Sequence, residues 1–282
     1  MSFPEPPSEA LSVGPGRVAL IVEYDGAAYH GWQMQQPGVP SVEAEVRAAA
    51  SRVANEPVIP VCAGRTDAGV HACAQVVHFD TQARRSQRSW VMGINTNLPS
   101  SVSVRWAGPV SQDFHARHSA TARRYRYVIY SHPVRPALLR HQVAWTFRPM
   151  DAAAMNDAAQ VLVGEHDFST FRAAGCQSRT PFRNIHAIAV RRSGPFVELD
   201  VTANAFVHHM VRNLAGSLMA VGSGHRQPDW IHEILEARDR RQGGMTAPAQ
   251  GLHMVEVTYP PGFGLPDLPV GPAFLSPVDR LC

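Results

Sequence analysis

The sequence contains no lysine: all 26 of its Lys and Arg side chains, in 282 residues, are arginines. This absence excludes Schiff-base chemistry on a lysine and the lysine-dependent phosphate site of a P-loop protein. Any binding of phosphate must instead use guanidinium groups, whose planar fork matches two phosphate oxygens at once.

Cysteine is also scarce. The chain has only Cys62, Cys73, Cys176 and Cys282. They form no CxxC motif and show no zinc-finger spacing, which predicts free thiols and a cytoplasmic location. The HExxH and GxSxG motifs are absent, and no apolar run approaches the roughly 20 residues of a membrane span. His208 and His209 are adjacent and would point about 100° apart on a helix, so we predict no metal site.

Acidic residues are missing from two long stretches. Residues 114–150 contain seven Arg, four His and no Asp or Glu, and residues 168–197 contain five Arg and again no carboxylate. The whole chain carries a net charge of only +3. Such a concentration of Arg indicates either an ordinary solvated surface or a surface for a polyanion such as RNA.

Against this background, one carboxylate stands out. Asp67 lies in a Gly-flanked turn at residues 64–69, between apolar runs at residues 57–62 and 75–79. An Asp beside Gly is often a simple turn former that bonds its own backbone. Arg65 makes a second interpretation possible, because a nearby cation holds a carboxylate ionised and orients it. Loops on rigid scaffolds commonly carry such functional groups.

The hydrophobic pattern predicts an α+β fold. Residues 17–106 read as β-α-β-β-α-β, with strands at 17–24 and 102–106 and a helix at 41–54. The second part repeats this plan with a strand at 122–130, a hairpin at 184–202 and a long helix at 205–221. We therefore predict two ferredoxin-like βαββαβ halves whose mostly antiparallel sheets flank a central RNA-binding cleft. The predicted domains are a disordered tail (1–16), an N-terminal domain carrying Asp67 (17–117), a C-terminal domain (118–259) and a Pro-rich tail (260–282).

Three further features each leave two interpretations open. The loop containing Tyr29 and Trp32 either stacks on bases or packs on itself. Tyr125 is either a core aromatic or a platform for an unstacked base whose phenol moves a proton. On the long helix, His208 and Arg212 are four residues apart and would share one face. Because Arg212 has apolar neighbours, it needs either a local backbone partner or a carboxylate such as Asp67.

Several motifs in fixed order resemble one known family. The segments GRTDAGVH (64–71), FHAR (114–117), ARRYRY (122–127), CQSRTP (176–181) and NAFVHHMVRN (204–213) are similar to motifs of the TruA-type tRNA pseudouridine synthases. The shorter segments YDG (24–26) and GWQ (31–33) resemble the N-terminal signature of the same family. The resemblance extends over about residues 17–259, and this number of motifs in one order makes it specific.

The resemblance implies an activity and its residues. Members isomerise uridine to pseudouridine at positions 38, 39 or 40 of the tRNA anticodon arm, as homodimers without cofactor or metal. It implies that Asp67 is the catalytic carboxylate, Tyr125 the base-stacking and proton-moving phenol, and Arg212 the partner of Asp67. The expected substrate-binding residues are Arg65, which helps to displace the target base, the pocket-lining Leu252, and also Tyr125, His208 and Arg124. A non-catalytic RNA-binding protein and a carboxylate-based RNA hydrolase are the competing hypotheses.

Overall fold

The computed structural model describes residues 7–275, which form two compact units. Unit 1 consists of residues 7–121 and 255–275, and unit 2 consists of residues 122–254. The described chain is α+β, with five α-helices and mostly antiparallel strand pairing. None of the helices in this range is long and apolar enough to cross a membrane.

Unit 1 contains paired strands and two helices. Its strands are β1 (Ser12–Val13), β2 (Gly16–Tyr24), β3 (Val61–Cys62), β4 (His71–Thr81), β5 (Arg85–Ser86) and β6 (Val102–Pro109). Its helices are α1 (Val42–Ala54) and α2 (Gln87–Asn97). The sheet order is β6-β2-β4, with β3 paired to β4 and a separate β1–β5 pair. The predicted β-α-β-β-α-β order of strands and helices is present, with β1 and β5 in addition.

Strand β2 is buried on both faces, and the C-terminal segment of the chain covers one of them. Ala19 and Ile21 belong to an apolar cluster against which residues 257–268 pack. The Tyr259 hydroxyl donates to the carbonyl oxygen of Ala116 at 2.6 Å. The Phe114 ring lies 5.0 Å from Tyr259 and 5.2 Å from Phe263. Residues 257–268 thus cover a face of β2 that would otherwise expose apolar side chains to solvent.

The beginning of the described chain differs from the predicted disordered tail at residues 1–16. Val13 is fully buried and pairs with Arg85 in the β1–β5 sheet. The side-chain oxygen of Gln87 accepts from the N–H of Ser8 at 2.8 Å, and the indole N–H of Trp90 donates to the carbonyl of Val13 at 3.1 Å. These contacts order residues 8–13. Residues 1–6 and 276–282, which fall in the two predicted tails, lie outside the described residues.

Unit 2 contains the remaining helices and most of the remaining strands. Its strands are β7 (Ala122–Ser131), β8 (Ala144–Thr146), β9 (Gly164–Asp167), β10 (Phe182–Ser193) and β11 (Phe196–Ala203). Its helices are α3 (Ala152–Ala159), α4 (Met210–Gly222) and α5 (Trp230–Ala237). The strand order is β7-β11-β10-β9, with β8 parallel to β7. Strands β10 and β11 form the predicted hairpin, whose turn consists of Gly194 and Pro195.

The division between the units falls within strand β12 (Leu252–Thr258). A contiguous domain at residues 118–259 therefore does not match the contacts, because residues 255–259 group with unit 1. The carbonyl of Thr258, for example, accepts from the N–H of Thr121 at 2.9 Å, and both residues belong to unit 1.

Helix α4 begins at Met210, five residues later than the predicted start at residue 205. His209 adopts a left-handed conformation with φ 62°, which interrupts a helix. The preceding backbone is bonded elsewhere: the N–H of Ala205 donates to the Asn204 side chain at 2.7 Å, and the carbonyl of His208 accepts from Ala173 at 3.0 Å. The prediction that His208 and Arg212 share one helix face is therefore wrong.

Candidate active-site residues

Asp67 lies in the loop between β3 and β4 in unit 1, as the sequence predicts. Buried side chains fix the first half of this loop. The amide of the fully buried Gln75 donates to the carbonyl of Gly64 at 2.6 Å and accepts from its N–H at 3.3 Å. The hydroxyls of Tyr24 and Thr66 lie 2.8 Å apart and share a hydrogen bond. The backbone that leads into Asp67 is consequently held by side chains of β2 and β4.

A second set of contacts comes from the loop after β2. The N–H of Trp32 donates to the carbonyl of Thr66 at 3.0 Å, and the N–H of Gly69 donates to the carbonyl of Tyr29 at 3.2 Å. Gly31 has φ 98°, and a Cβ there would lie 2.5 Å from the carbonyl oxygen of Thr66 and 3.2 Å from the carbonyl carbon of Asp67. Only glycine permits this approach of two backbones.

These contacts decide between the two interpretations of the aromatic loop. Tyr29 is 7% exposed and Trp32 only 2% exposed, so neither ring is presented for stacking on a base. The Trp32 ring packs 5.9 Å from Tyr24. The loop is therefore packed on its own aromatic residues, and its backbone supports the Asp67 loop.

Charge and burial around Asp67 are uneven. Asp67 is half-buried, and Arg65 is exposed. At the end of β3, burial raises the pKa of the Cys62 thiol to about 12, so this thiol is not a thiolate nucleophile at neutral pH. At the start of β4, the Nδ1 atom of His71 accepts from the N–H of Gly26 at 3.1 Å. Among these four side chains, the carboxylate is the group suited to act as a base or nucleophile.

In unit 2, Tyr125 lies on β7 opposite Val201 and is 8% exposed. Its ring meets Phe206 edge-on, with centroids 5.0 Å apart and an interplanar angle of 83°. An edge-to-face pair of this kind fixes the plane of the tyrosine ring. This burial agrees with the core interpretation of Tyr125, and stacking on a base would require the Tyr125 ring to be uncovered when the base binds.

Arg124 is also on β7, and the structure gives it a contact that the sequence analysis did not predict. Its Nε and Nη2 atoms donate to the two carboxylate oxygens of Asp200 at 2.7 and 2.8 Å. Arg126, which lies directly opposite Asp200, donates to the same carboxylate at 2.9 Å. Arg124 and Arg126 are 5% and 1% exposed. One buried carboxylate thus holds two buried guanidinium groups, a structural role distinct from the expected binding of substrate.

Arg212 lies in the first turn of α4 and is half-buried. Its Nε atom donates to the carbonyl of Ala247 at 2.9 Å, and its own carbonyl accepts from the N–H of Ala247 at 3.1 Å. Arg212 therefore has the backbone partner that the first of its two interpretations requires. The backbone of residues 246–248 is fixed in turn by Tyr127, whose hydroxyl donates to the carbonyl of Pro248 at 2.8 Å.

The other two expected substrate-binding residues differ in exposure. Leu252 begins β12 and is 6% exposed. His208 is exposed, and its backbone N–H donates to the Cys176 sulfur at 3.3 Å. Although partial burial alone raises the pKa of the Cys176 thiol, the N–H groups of His208 and Ser178 and the guanidinium of Arg172 lower it overall. This stabilises a thiolate beside His208.

Comparison with known proteins identifies the family. A family model described as tRNA pseudouridine synthase matches residues 20–119 and 158–260. The chain belongs to the tRNA pseudouridine synthase family. Proteins named tRNA pseudouridine synthase A are similar over nearly their whole length. The one from Coxiella burnetii (strain Dugway 5J108-111) is 58% identical over 259 residues, which is 92% of this chain and 99% of the relative. The one from Pseudomonas aeruginosa is 53% identical over 273 residues, 97% of this chain and 96% of the relative.

The match to the pseudouridine synthase family model includes most, but not all, of the candidate residues. Asp67 and Arg65 lie in its first segment, and Arg212, His208 and Leu252 lie in its second. Tyr125 and Arg124 lie between the two segments. Among solved structures, a chain in a crystal structure of a Cbf5-Nop10-Gar1 complex is 11% identical, with a TM-score of 0.31. That alignment covers 84% of this chain and 57% of the other, and so low a score carries no weight for the fold.

The sequence alone did not identify the residues that hold the candidate site residues in place. Gln75 occupies an apolar strand, where a polar residue needs a buried partner, and that mismatch was a usable signal. Arg124 and Arg126 are two residues apart on a strand and therefore share one face. Two guanidinium groups on a buried face require a carboxylate, so an acidic residue such as Asp200 on a neighbouring strand could have been expected. Gly31 carried no comparable signal, because its role depends on a loop 35 residues further along the chain.

Proposed function

We propose that this protein isomerises uridine to pseudouridine at positions 38, 39 or 40 in the anticodon stem-loop of tRNA. The proposal rests on membership of the tRNA pseudouridine synthase family and on relatives that are 53–58% identical. A single observation carries the site: a half-buried carboxylate, Asp67, lies on a loop that Gln75, Tyr24 and Gly31 hold rigidly. A preorganised carboxylate is what an essential general base or nucleophile requires.

The chemistry replaces one glycosidic bond by another within the same nucleotide. The bond between N1 of uracil and C1′ of ribose breaks, a bond between C5 and C1′ forms, the hydrogen at C5 leaves as a proton, and N1 gains a proton. The target base must leave the helix stack, which costs a few kcal/mol. Asp67 then attacks the sugar or the base, or removes a sugar proton, and each route uses its ionised form. The detached uracil rotates and rebonds, so the proposed reaction requires neither metal nor cofactor.

The remaining residues receive roles in the same reaction. Arg212 favours the ionised form of the catalytic carboxylate, and Tyr125 stacks on the base and moves a proton. Arg65, exposed beside Asp67, helps to displace the base from the stack. His208 and Leu252 contact the nucleotide.

Arg124 occupies a different place in the proposal from the one its sequence suggests. Because Asp200 holds its guanidinium, Arg124 supports the strand that carries Tyr125 and does not bind a phosphate directly. We keep Arg124 among the residues that matter for substrate binding through this indirect route.

Replacement of Asp67 by Asn tests the proposal. The measurement is release of tritium from tRNA transcripts labelled at C5 of uridine, in parallel with binding of the same transcript. We expect Asp67→Asn to abolish release while tRNA binding stays within about twofold of wild type. Near-wild-type turnover by this variant would defeat the assignment. Intact binding with no turnover by the wild-type protein would instead favour a non-catalytic RNA-binding protein, and strand scission would favour a hydrolase.

Substrate position and assembly need separate measurements. Transcripts in which the uridines at positions 38, 39 and 40 are replaced one at a time by cytidine identify the modified site. We also propose a cytoplasmic homodimer, in keeping with the family resemblance. Light scattering at working concentration then gives a mass near twice that of the 30.8 kDa chain, and a mass of one chain would contradict the dimer.

A further inference from the structure

Residues 243–248 lie directly against helix α4, and two glycines make this close packing possible. A Cβ on Gly216 would lie 1.8 Å from the carbonyl oxygen of Met245. A Cβ on Gly244 would lie 2.7 Å from the Cα of Ser217. Neither position accepts a larger residue unless the backbone moves. The segment is thus held to the helix at backbone-to-backbone distance.

A partly buried polar cluster fixes the segment further. Asn213 on α4 is 1% exposed, and its Oδ1 atom accepts from Thr246 Oγ1 at 2.7 Å and from Arg240 Nη2 at 3.1 Å. Its Nδ2 atom donates to the carbonyl of Phe171 at 2.8 Å. The hydroxyl of Thr246 also accepts from Arg240 Nη2 at 3.1 Å, and Arg240 Nη1 donates to the carbonyl of Gly244 at 2.8 Å. These bonds link the helix, the segment and Arg240 into one network.

The residue after Thr246 contacts Arg212. The carbonyl of Ala247 accepts from Arg212 Nε at 2.9 Å, and its N–H donates to the Arg212 carbonyl at 3.1 Å. The peptide of residue 247 therefore sets the direction in which the Arg212 guanidinium extends from the helix. Because residue 246 precedes that peptide, any rotation at Thr246 changes the position of the carbonyl that holds Nε.

We propose that Thr246, held by Asn213 and Arg240, is a positioning residue for Arg212 in the reaction. This inference rests on the proposed function, in which Arg212 serves the catalytic carboxylate. If the network served only stability, breaking it would lower the fraction of folded protein. If it positions Arg212, breaking it lowers the turnover of the protein that remains folded. In that case the break has no further effect in a variant that already lacks Arg212.

Replacement of Thr246 by Val removes the hydroxyl and keeps the shape of the side chain. We expect kcat for pseudouridine formation to fall about tenfold, because small misplacements of a catalytic group cost this much or more. KM for tRNA should stay close to wild type, and the unfolding temperature should fall by only a few degrees, because Asn213 keeps its bonds to Arg240 and Phe171. Thr246→Ser, which restores the hydroxyl, should recover most of kcat. Thr146→Val is the matched control, since Thr146 lies on β8 outside this network and its hydroxyl accepts from the N–H of Arg148 at 3.2 Å.

The decisive comparison uses Arg212→Gln with and without Thr246→Val. If Thr246 acts through Arg212, the double variant has the same kcat as Arg212→Gln alone. An equal loss from Thr246→Val in both backgrounds, or wild-type kcat for the single variant, would overturn the inference. Should Thr246→Val fail to fold, Arg240→Gln replaces it, because this change removes bonds of the same network to Asn213 and Thr246. Its kcat is compared with and without Arg212→Gln, with the same outcomes expected.

The same assays separate this inference from the proposed function. Absence of pseudouridine formation by the wild-type protein would refute the function itself. Wild-type kcat for Arg212→Gln would refute the role of Arg212 and, with it, the positioning role. A defective Arg212→Gln beside an unaffected Thr246→Val would refute the positioning role alone.

Discussion

Substitution of Gly31 by Ala tests whether the loop after β2 holds Asp67 in place. The chain offers a matched control in Gly38, which belongs to the same loop. Gly31 has φ 98° and Gly38 has φ 88°, so alanine is strained at both positions. The surroundings differ: a Cβ at Gly38 would meet nothing within 4 Å, whereas at Gly31 it would lie 2.5 Å from the carbonyl oxygen of Thr66.

The expected magnitudes follow from this difference. A left-handed backbone costs an alanine about 1–2 kcal/mol relative to glycine, and both variants incur this loss of stability. An ordinary carbon–oxygen contact is about 3.3 Å, so the added Cβ at Gly31 requires a displacement of about 0.8 Å. The atom that must yield is a backbone carbonyl next to Asp67, which cannot rotate away like a flexible side chain. A shift of this size at a catalytic group lowers kcat by about 100-fold.

The assay is pseudouridine formation at saturating tRNA, with the unfolding midpoint measured on the same preparations. We expect Gly31→Ala to lose about two orders of magnitude in kcat, and Gly38→Ala to keep kcat within about threefold of wild type. Both variants should lose stability through backbone strain, and Gly31→Ala should lose more, because its Cβ also displaces the Thr66 carbonyl. Equal kcat values for the two variants would refute the reasoning, because strain without displacement would then be the whole effect.

Four further substitutions, one of them a control, test contacts of the described residues. Asp200→Asn should lower the free energy of unfolding by about 3 kcal/mol in urea titrations, because it weakens a buried ion cluster, whereas Asp80→Asn at an exposed pair should cost less than about 1 kcal/mol. Gln75→Met should destabilise by about 2 kcal/mol and lower kcat with unchanged tRNA binding, since it removes the side-chain partner of Gly64. Burial, with the charges of Arg17 and His115, lowers the pKa of His78 to about 4 from 6.5. The unfolded chain therefore binds a proton there before the folded chain does, and stability is lost as the pH falls through this interval. His78→Gln should remove about 1–2 kcal/mol of the difference in unfolding free energy between about pH 7 and about pH 4.5. An unchanged pH difference, or equal stability losses for the two Asp variants, would contradict these assignments.

Local patterns in the sequence predicted the regular elements better than the irregular ones. The apolar run of β2, the stripe of α1 and the β10–β11 hairpin follow from period and turn residues alone. The start of α4 does not, because residues 205–209 have an apolar helical pattern but bond to other parts of unit 2. The left-handed His209 that ends this segment has no clear marker in the sequence, because a positive φ is uncommon for any non-Gly residue, although histidine adopts it more often than most.

The candidate reactive residue could be predicted from the sequence, but the residues that hold it in place could not. Asp67 could be selected because a charged, Gly-flanked turn after an apolar strand is unusual in a core. Its supports come from β2, from the loop after β2 and from β4, three places separated by up to about 50 residues of chain. Each support is ordinary where it stands: a tyrosine at a strand end, a glycine in a loop, a glutamine in a strand.

Their meaning arises only when the fold brings them together, because a hydrogen bond or a close backbone approach is a property of pairs. Gln75 illustrates the limit: its side chain is fully buried, so the strand register with β2 and the return of the β3–β4 loop must both be known before Gly64 can be named as its partner. The same holds in unit 2, where Thr246 becomes relevant to Arg212 only through Asn213 and Ala247. A candidate for the reactive carboxylate is therefore predictable from the sequence. The precision with which it is held, on which its rate depends, follows only from tertiary contacts.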